Sequence, residues 1–421
     1  MSRRFVWLVL VVLGWLFGAA AQSVPRSVYV VNSLSENLSF INLENGTVVG
    51  DALPLGMNAI PNDIEIRGQR AYVVNSGLNE IRVIDLATLT LVQTIDLGSG
   101  TNPWSIEFVN DSVAAVSLWL TNSVALVNVK QGQLVQTIPV GVTPQGMAVL
   151  GNRLYVANAG FVAPGQYDPG TLSVVDLTTR QVVDTIAVGL NPQAVQPDGA
   201  GRLVVVCSGD YGAVGSELDV VDPAQGSVIQ VQPLNVVGTS LGVNGLGKAF
   251  ITTFGSGTLV YDLNAQSFDR DETNPLKGGP GVAFDGENNA YLADFLSDSV
   301  FVYNTGYQQT AAYLVGDGPV ALAVFDPTVV GIEPHGRPLS GTFRLHPNYP
   351  NPFNPETVIE FELPAAQQVR LEVLDVLGRR VRLLLQGYLP AGTHQVRWDG
   401  RTESGREAAA GTYFYRLVGP N

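Results

Sequence analysis

The chain has 421 residues, with 37 acidic against 23 basic, a net charge of −14, 3 histidines and 1 cysteine. A lone cysteine excludes any intrachain disulfide, and the acid excess repels phosphate backbones, which argues against nucleic acid as a partner. With 46% hydrophobic residues, 46 glycines and 25 prolines, the composition fits large cores joined by many turns.

Residues 1–21 read as a signal peptide. Arg3 and Arg4 form a basic start, Phe5 to Phe17 an apolar core of thirteen residues, and Ala19-Ala20-Ala21 a small-residue cleavage site. The alternative is a membrane anchor, but that apolar run is short for a bilayer span. The expectation is an exported protein starting at Gln22, extracellular or on the outer cell surface, with no transmembrane span after cleavage.

From Pro61 to Gly98 the chain holds four short runs of branched and aromatic residues separated by turn formers such as Arg67-Gly68 and Asn75-Ser76-Gly77. The two-residue alternation in IRVID and QTIDL is that of half-buried strands, so the stretch reads as one four-stranded antiparallel unit. Its second strand recurs at Tyr29, Tyr72, Ala115, Tyr155, Val204, Phe250 and Tyr291, in steps of 40 to 49 residues. A single such sheet cannot bury both faces, whereas a ring of them can, and a period of about 40–50 residues is that of a propeller blade. The fold expected for 22–327 is a seven-bladed β-propeller. The first copy lacks an inner strand, and the run Gly318 to Phe325 is expected to supply it by joining Ser27 to Asn32. That closure would tie the ends of the ring without a disulfide.

Beyond Asp326 the pattern changes. Residues 328–342 read as a linker, and 343–421 as a small Ig-like β-sandwich of alternating strands, VIEFEL, VRLEVLD, VRLLL, HQVRW and TYFYRL. The charge is divided accordingly: 22–330 carries 28 acidic and 11 basic residues, whereas 331–421 carries 9 and 10.

Two resemblances follow from these residues. The copies with Tyr155-Val156-Ala157-Asn158, Ser173-Val174-Val175-Asp176 and Val183-Asp184-Thr185-Ile186-Ala187-Val188-Gly189 resemble YVTN-repeat propellers of bacterial and archaeal surface proteins. That likeness implies the fold but does not choose among binding proteins, surface-layer components and enzymes. At the C-terminus, NYPNPFNPET, VLDVLGRRV, AGTHQVRWDG and AAGTYFYRL resemble the type A C-terminal sorting domain of the type IX secretion system. This implies passage through the periplasm and a partnership with that machinery. Family members continue past the YRL strand, whereas this chain stops at Asn421, so the expectation includes a shortened sorting signal.

The propeller region contains no histidine, because His335, His346 and His394 all lie beyond it. A histidine general base, a Ser-His-Asp triad and histidine-bound metals are therefore excluded there. Gly245-Leu246-Gly247-Lys248 precedes a strand and lacks the helix of a phosphate-binding loop. Cys207, in the second strand of repeat five, reads as a buried inert thiol. No cofactor is expected. Asp269, Asp271 and Glu272, with Asp285 and Glu287, leave calcium open, although neither group matches an EF-hand and solvated turns explain them as well.

If the ring has a ligand face, topology places it. The loop leading into each inner strand and the loop between the second and third strands open on the same side. The residues after the inner-strand proline are Asn62, Trp104, Gln145 and Gln193. The longest second-to-third loops, in repeats four and five, carry Phe161, Tyr167, Asp168, Asp210 and Tyr211, near Trp119 of repeat three. Aromatics and carboxylates on a rigid ring suit a glycan, a peptide or a protein. The alternative for Trp104 and Trp119 is packing between blades. The reading is a secreted or surface binding and scaffold protein, with no catalytic residue assigned. The alternatives are a histidine-independent lactonase or glycan lyase and a surface-layer structural protein.

Overall fold

A computed structural model describes residues 24–326 and, between 344 and 418, the strands of a second unit with parts of their connections. The expected leader at 1–21 and linker at 328–342 lie outside the described residues.

The chain from Ser27 to Phe325 forms seven four-stranded antiparallel sheets. Their innermost strands are Pro319–Phe325 in blade 1, Pro61–Arg67 in blade 2, Pro103–Asn110 in blade 3 and Pro144–Leu150 in blade 4. Pro192–Pro197, Ser240–Val243 and Val282–Phe284 follow in blades 5, 6 and 7. Each innermost strand touches those of the blades before and after it, so the seven form a closed cycle around a central channel. All seven marker residues, from Tyr29 to Tyr291, lie in second strands. The all-β propeller expectation holds.

Period-two side chains explain why the sheets stack into a ring. In Arg70–Asn75, Tyr72 and Val74 pack toward blade 3, whereas Ala71 and Val73 pack toward blade 1. The same division repeats around the ring, with a distinct apolar cluster between every pair of neighbouring blades. Both faces of each blade are thereby taken out of water, which a lone sheet could not achieve.

The ring closes as the sequence indicates. Ser27–Asn32 pairs antiparallel with the last propeller strand, Ser27 opposite Phe325 and Val30 opposite Leu322. Arg26 reinforces the seam, with Nη2 2.6 Å from Asp285 Oδ2 and Nε 3.4 Å from Asp326 Oδ2. Asp285 is committed to this clamp and also accepts from the Tyr291 hydroxyl at 3.0 Å. In the other acidic group, Asp269 pairs with Lys248 at 2.6 Å, Asp271 holds the Thr273 turn, and Glu272 accepts from Asn235. The carboxylates that left calcium open are thus engaged by protein donors.

The second unit contains two three-stranded sheets. One comprises Arg344–Leu345, Thr357–Leu363 and Gly392–Trp398; the other comprises Arg380–Leu389, Gln367–Leu374 and Phe414–Val418. Ile359 and Phe361 from the first meet Val369 and Leu371 from the second in a shared core. Asn348 and Phe353 of the NYPNPFNPET segment are tied to this sandwich. Asn348 N–H donates to the Tyr415 hydroxyl at 3.0 Å, its side-chain amide donates to Thr357 Oγ1 at 2.9 Å, and Phe353 lies 5.1 Å from Trp398. His394 stacks on Phe361 at 5.4 Å, a strand-packing role.

Candidate functional site

One end of the propeller opens into a cavity of about 1050 Å³ that descends into the central channel. It is lined by the loops leading into the inner strands and by the loops between second and third strands. Eight of the ten residues expected on this face line it: Asn62, Trp104, Trp119, Gln145, Phe161, Tyr167, Gln193 and Tyr211.

The aromatic part is built locally. Phe161–Ala163 and Gln166–Tyr167 form a small hairpin above blade 4, with Phe161 opposite Tyr167, and Thr143 Oγ1 accepts from the Phe161 N–H at 3.0 Å. Trp119, at the start of a 3-10 turn above blade 3, lies 5.8 Å from Phe161. Phe161 lies 5.6 Å from Tyr167, and Tyr167 lies 6.4 Å from Tyr211. Four rings from blades 3 to 5 thus form a continuous arc, spaced and tilted as aromatic contacts prefer. Burial raises the Tyr167 hydroxyl pKa, with Tyr211 and Asp210 adding to the shift and a hydrogen bond with Asn191 opposing it. Tyr167 stays protonated and is able to donate.

Asp168 and Asp210 do not join the lining. Asp210 turns inward to its own loop, its Oδ1 accepting from the Gly212 and Val214 N–H groups, each at 2.8 Å. That tight loop displays Tyr211, which is 60% exposed and adopts a left-handed φ of 60°. Such a backbone state is costly for a tyrosine and persists only where the surrounding loop enforces it. Asp168 is exposed, and its N–H closes the hairpin base on the Gly160 carbonyl at 2.7 Å. Both aspartates shape the loops rather than facing the cavity. Trp104 is 38% exposed at the mouth of the cavity.

Below the rim the lining becomes polar. Asn62 donates to Ser76 Oγ, which donates in turn to the Pro103 carbonyl of the next blade. Gln193 Nε2 donates to Asn191 Oδ1 at 2.6 Å, and Asn191 donates to the Gly209 carbonyl at 3.1 Å. Gln145 is 6% exposed, and its Oε1 has no donor. Deeper still, Asp63 Oδ2 accepts from Ser105 Oγ at 2.8 Å and from the Ile106 N–H at 3.0 Å, and Glu107 Oε1 accepts from the Val149 N–H at 3.2 Å. These carboxylates join neighbouring blades. Where blades 4 and 5 meet, a Cβ on Gly146 would lie 2.9 Å from Ala194 Cα, a spacing that only glycine tolerates.

Phe254 and Phe295 also line the cavity, 5.6 Å apart, from blades 6 and 7. Sequence reasoning missed them because it favoured the longest loops. The usable signal was position: each follows the second strand of its blade, where Trp119 stands in blade 3. Among the described residues no group of three or more His, Cys, Asp and Glu side chains is arranged to hold a metal ion.

Residues 351–419 match the family described as FlgD Ig-like domain. The chain carries an Ig-like domain at its C-terminal end. A solved structure of Kuenenia stuttgartiensis hydrazine synthase is similar at a TM-score of 0.53 and 18% identity, covering 66% of this chain and 92% of that one. A functionally unknown protein from Desulfotomaculum acetoxidans is similar at a TM-score of 0.56 and 14% identity, covering 72% of this chain and 99% of its own. At these identities the likeness concerns the fold. No curated protein matches the sequence.

Proposed function

We propose that this is an exported binding protein whose propeller captures its ligand in the aromatic cavity, with the Ig-like domain serving as its address. The observation that carries the binding role is the cavity itself. Seven aromatic residues from five consecutive blades, Trp104, Trp119, Phe161, Tyr167, Tyr211, Phe254 and Phe295, converge on one concave space. A rigid ring that holds aromatic faces and polar amides around such a space is organised for recognition. The absence of histidine from the ring, and the engagement of its acidic clusters by protein donors, weigh against the enzymatic alternatives.

Export is supported by the basic, apolar and small-residue order of 1–21. Type IX sorting is supported by the likeness of NYPNPFNPET through AAGTYFYRL to type A sorting domains, a finer reading than the Ig-like family match alone. The YVTN-like repeat then supplies the platform and the sandwich engages the secretion machinery.

A thermal-shift screen of the full chain against glycans, peptides and divalent metals tests the binding role. A ligand of the native state raises the melting temperature by linkage. The expected result is a hit abolished by the paired change Tyr167→Ala and Tyr211→Ala. A hit indifferent to that pair would move the binding site off this face.

A further inference from the structure

The mouth of the cavity holds aromatic rings open to water. Trp104 from blade 3, Tyr211 from blade 5 and Phe254 from blade 6 line it and are 38%, 60% and 60% exposed. Along the arc from Trp119 through Phe161 and Tyr167 to Tyr211, successive rings are tilted by 36°, 67° and 51°, so together they make a curved apolar surface. Hydrated aromatic surface of this kind favours an occupant that brings flat apolar faces of its own.

Beneath the rim, the groups left for an occupant are neutral. The carboxylates of the lining are engaged within the protein: Asp63 accepts from Ser105 and the Ile106 N–H, Glu107 accepts from the Val149 N–H, and Glu65 also has a partner. Among the amides, Asn62 is held by Ser76, and Gln193 by Asn191. Gln145 differs. It lines the cavity at 6% exposure, and its Oε1 receives no hydrogen bond. A buried acceptor without a donor is costly. The last torsion of a glutamine is soft, so that oxygen can swing toward an occupant that brings a hydroxyl.

Charge narrows the class further. Residues 22–330 carry 28 acidic and 11 basic side chains, a field that repels uronate, sulfate and phosphate groups. The favoured occupant is therefore uncharged, with apolar faces bordered by hydroxyls. A pyranose ring has that construction, because its C–H bonds make a face apolar while its hydroxyls stand around the edge. Peptides are recognised at an open strand edge or in a groove shaped for a helix or polyproline segment; here the recognising rings are carried by separate loops of several blades.

We propose that the cavity binds a neutral oligosaccharide chain, its sugar rings stacked on the aromatic arc and its hydroxyls donating to Gln145. This rests on the reading of this face as the binding surface and names its ligand class. The volume of about 1050 Å³ stands at the top of the range of about 300–1000 Å³ usual for small-molecule sites, which suits several linked rings better than a single sugar.

The test is isothermal titration calorimetry of the chain from Gln22 onward with cellohexaose, maltohexaose and mannohexaose. Hexagalacturonate serves as the anionic control and an alternating leucine-lysine peptide as the peptide control. Tyr211→Ala removes a ring from the rim, and Gln145→Met removes the amide while keeping the length of the side chain. Tyr211 stands in an exposed loop, so its variant keeps the test decisive even if Gln145→Met fails to fold. The expected result is that a neutral hexasaccharide binds with little dependence on salt, that each substitution weakens it about tenfold, and that hexagalacturonate does not bind. Binding of the peptide but of no hexasaccharide, lost in Tyr211→Ala, would overturn the glycan proposal and leave the reading of the face intact. Hexasaccharide binding that is unchanged in both variants would put the sugar elsewhere and overturn the proposal. Hexagalacturonate binding as tight as the neutral chains, or no binding of any probe, would overturn it as well.

Discussion

Asp219 should set a pH-dependent cost on the stability of the propeller. It stands in the third strand of blade 5, Ser216–Asp222, and is 1% exposed. Its Oδ2 accepts from the Gly189 N–H at 2.8 Å and lies 3.9 Å from Cys207 Sγ, while Oδ1 has no partner. Blades 1 and 4 have serines at the same place: Ser39 accepts from the Gly316 N–H at 3.0 Å and Ser173 from the Gly141 N–H at 3.2 Å. Blade 5 makes the same link with a carboxylate, and among the described residues no cation pairs with it. Burial raises the Asp219 pKa from 3.8 to about 6, with Glu217 adding repulsion and the Gly189 N–H opposing the shift. Below the ordinary value both folded and unfolded chains hold the proton, and Asp219 costs nothing by this route. Between there and about 6 the unfolded chain releases a proton that the folded chain keeps, so stability falls as pH rises. Above the folded value the penalty is complete, at about 3 kcal/mol for a shift of this size. In Asp219→Asn an amide oxygen still accepts from Gly189 but the penalty is gone. Urea unfolding of both proteins across this range, followed on the propeller transition, should show the variant gaining about 3 kcal/mol on the parent between acid and mildly basic pH. A stability difference that does not change with pH would refute the reasoning.

Arg26→Ala should lower propeller stability by about 1–3 kcal/mol, because Asp285 is left at the seam without its cation; thermal unfolding measures this, and an unchanged midpoint would show that the clamp contributes nothing. Leu172→Ala, at a fully buried site between blades 4 and 5, should cost about 2–5 kcal/mol in urea unfolding. In the sandwich, a hydrogen bond from Arg416 and the charges of Arg370 and Arg380 lower the Glu372 pKa. A lowered carboxylate stabilises the fold above its unfolded value and loses that contribution as pH falls. Acid unfolding of the Ig-like domain should therefore lose part of its pH dependence in Glu372→Gln.

Much of this architecture was legible in the sequence because it is periodic. The marker residues from Tyr29 to Tyr291 repeat at blade pitch, and their period-two neighbours must face adjoining blades, so the ring, its closure strand and the end on which the cavity opens follow from spacing alone. The site was legible as far as topology could place it. Asn62, Trp104, Gln145 and Gln193 follow inner-strand prolines, and the long loops of blades 4 and 5 carry Phe161, Tyr167 and Tyr211. What spacing does not encode is the direction of a side chain within a loop. Asp210 caps its own turn, Asp168 is exposed but does not line the cavity, and Phe254 and Phe295 reach the cavity from short loops. Nor does composition reveal that Asp219 occupies a place held by serine in two other blades; that required the register of paired strands.

Ligand capture at the aromatic end of the propeller is open to a direct optical test. Of the five tryptophans, Trp7 and Trp15 belong to the expected leader and are absent from a chain that starts at Gln22; Trp104 and Trp119 line the cavity, and Trp398 is 3% exposed in the sandwich and gives a constant background. Titration of the tryptophan fluorescence of the chain from Gln22 onward with the peptide and glycan panel therefore reports on the cavity. A saturable spectral change with a bound ligand is expected, absent when Tyr167→Ala and Tyr211→Ala are combined. Binding that leaves the spectrum unchanged, or a saturable change that survives that paired substitution, would contradict it.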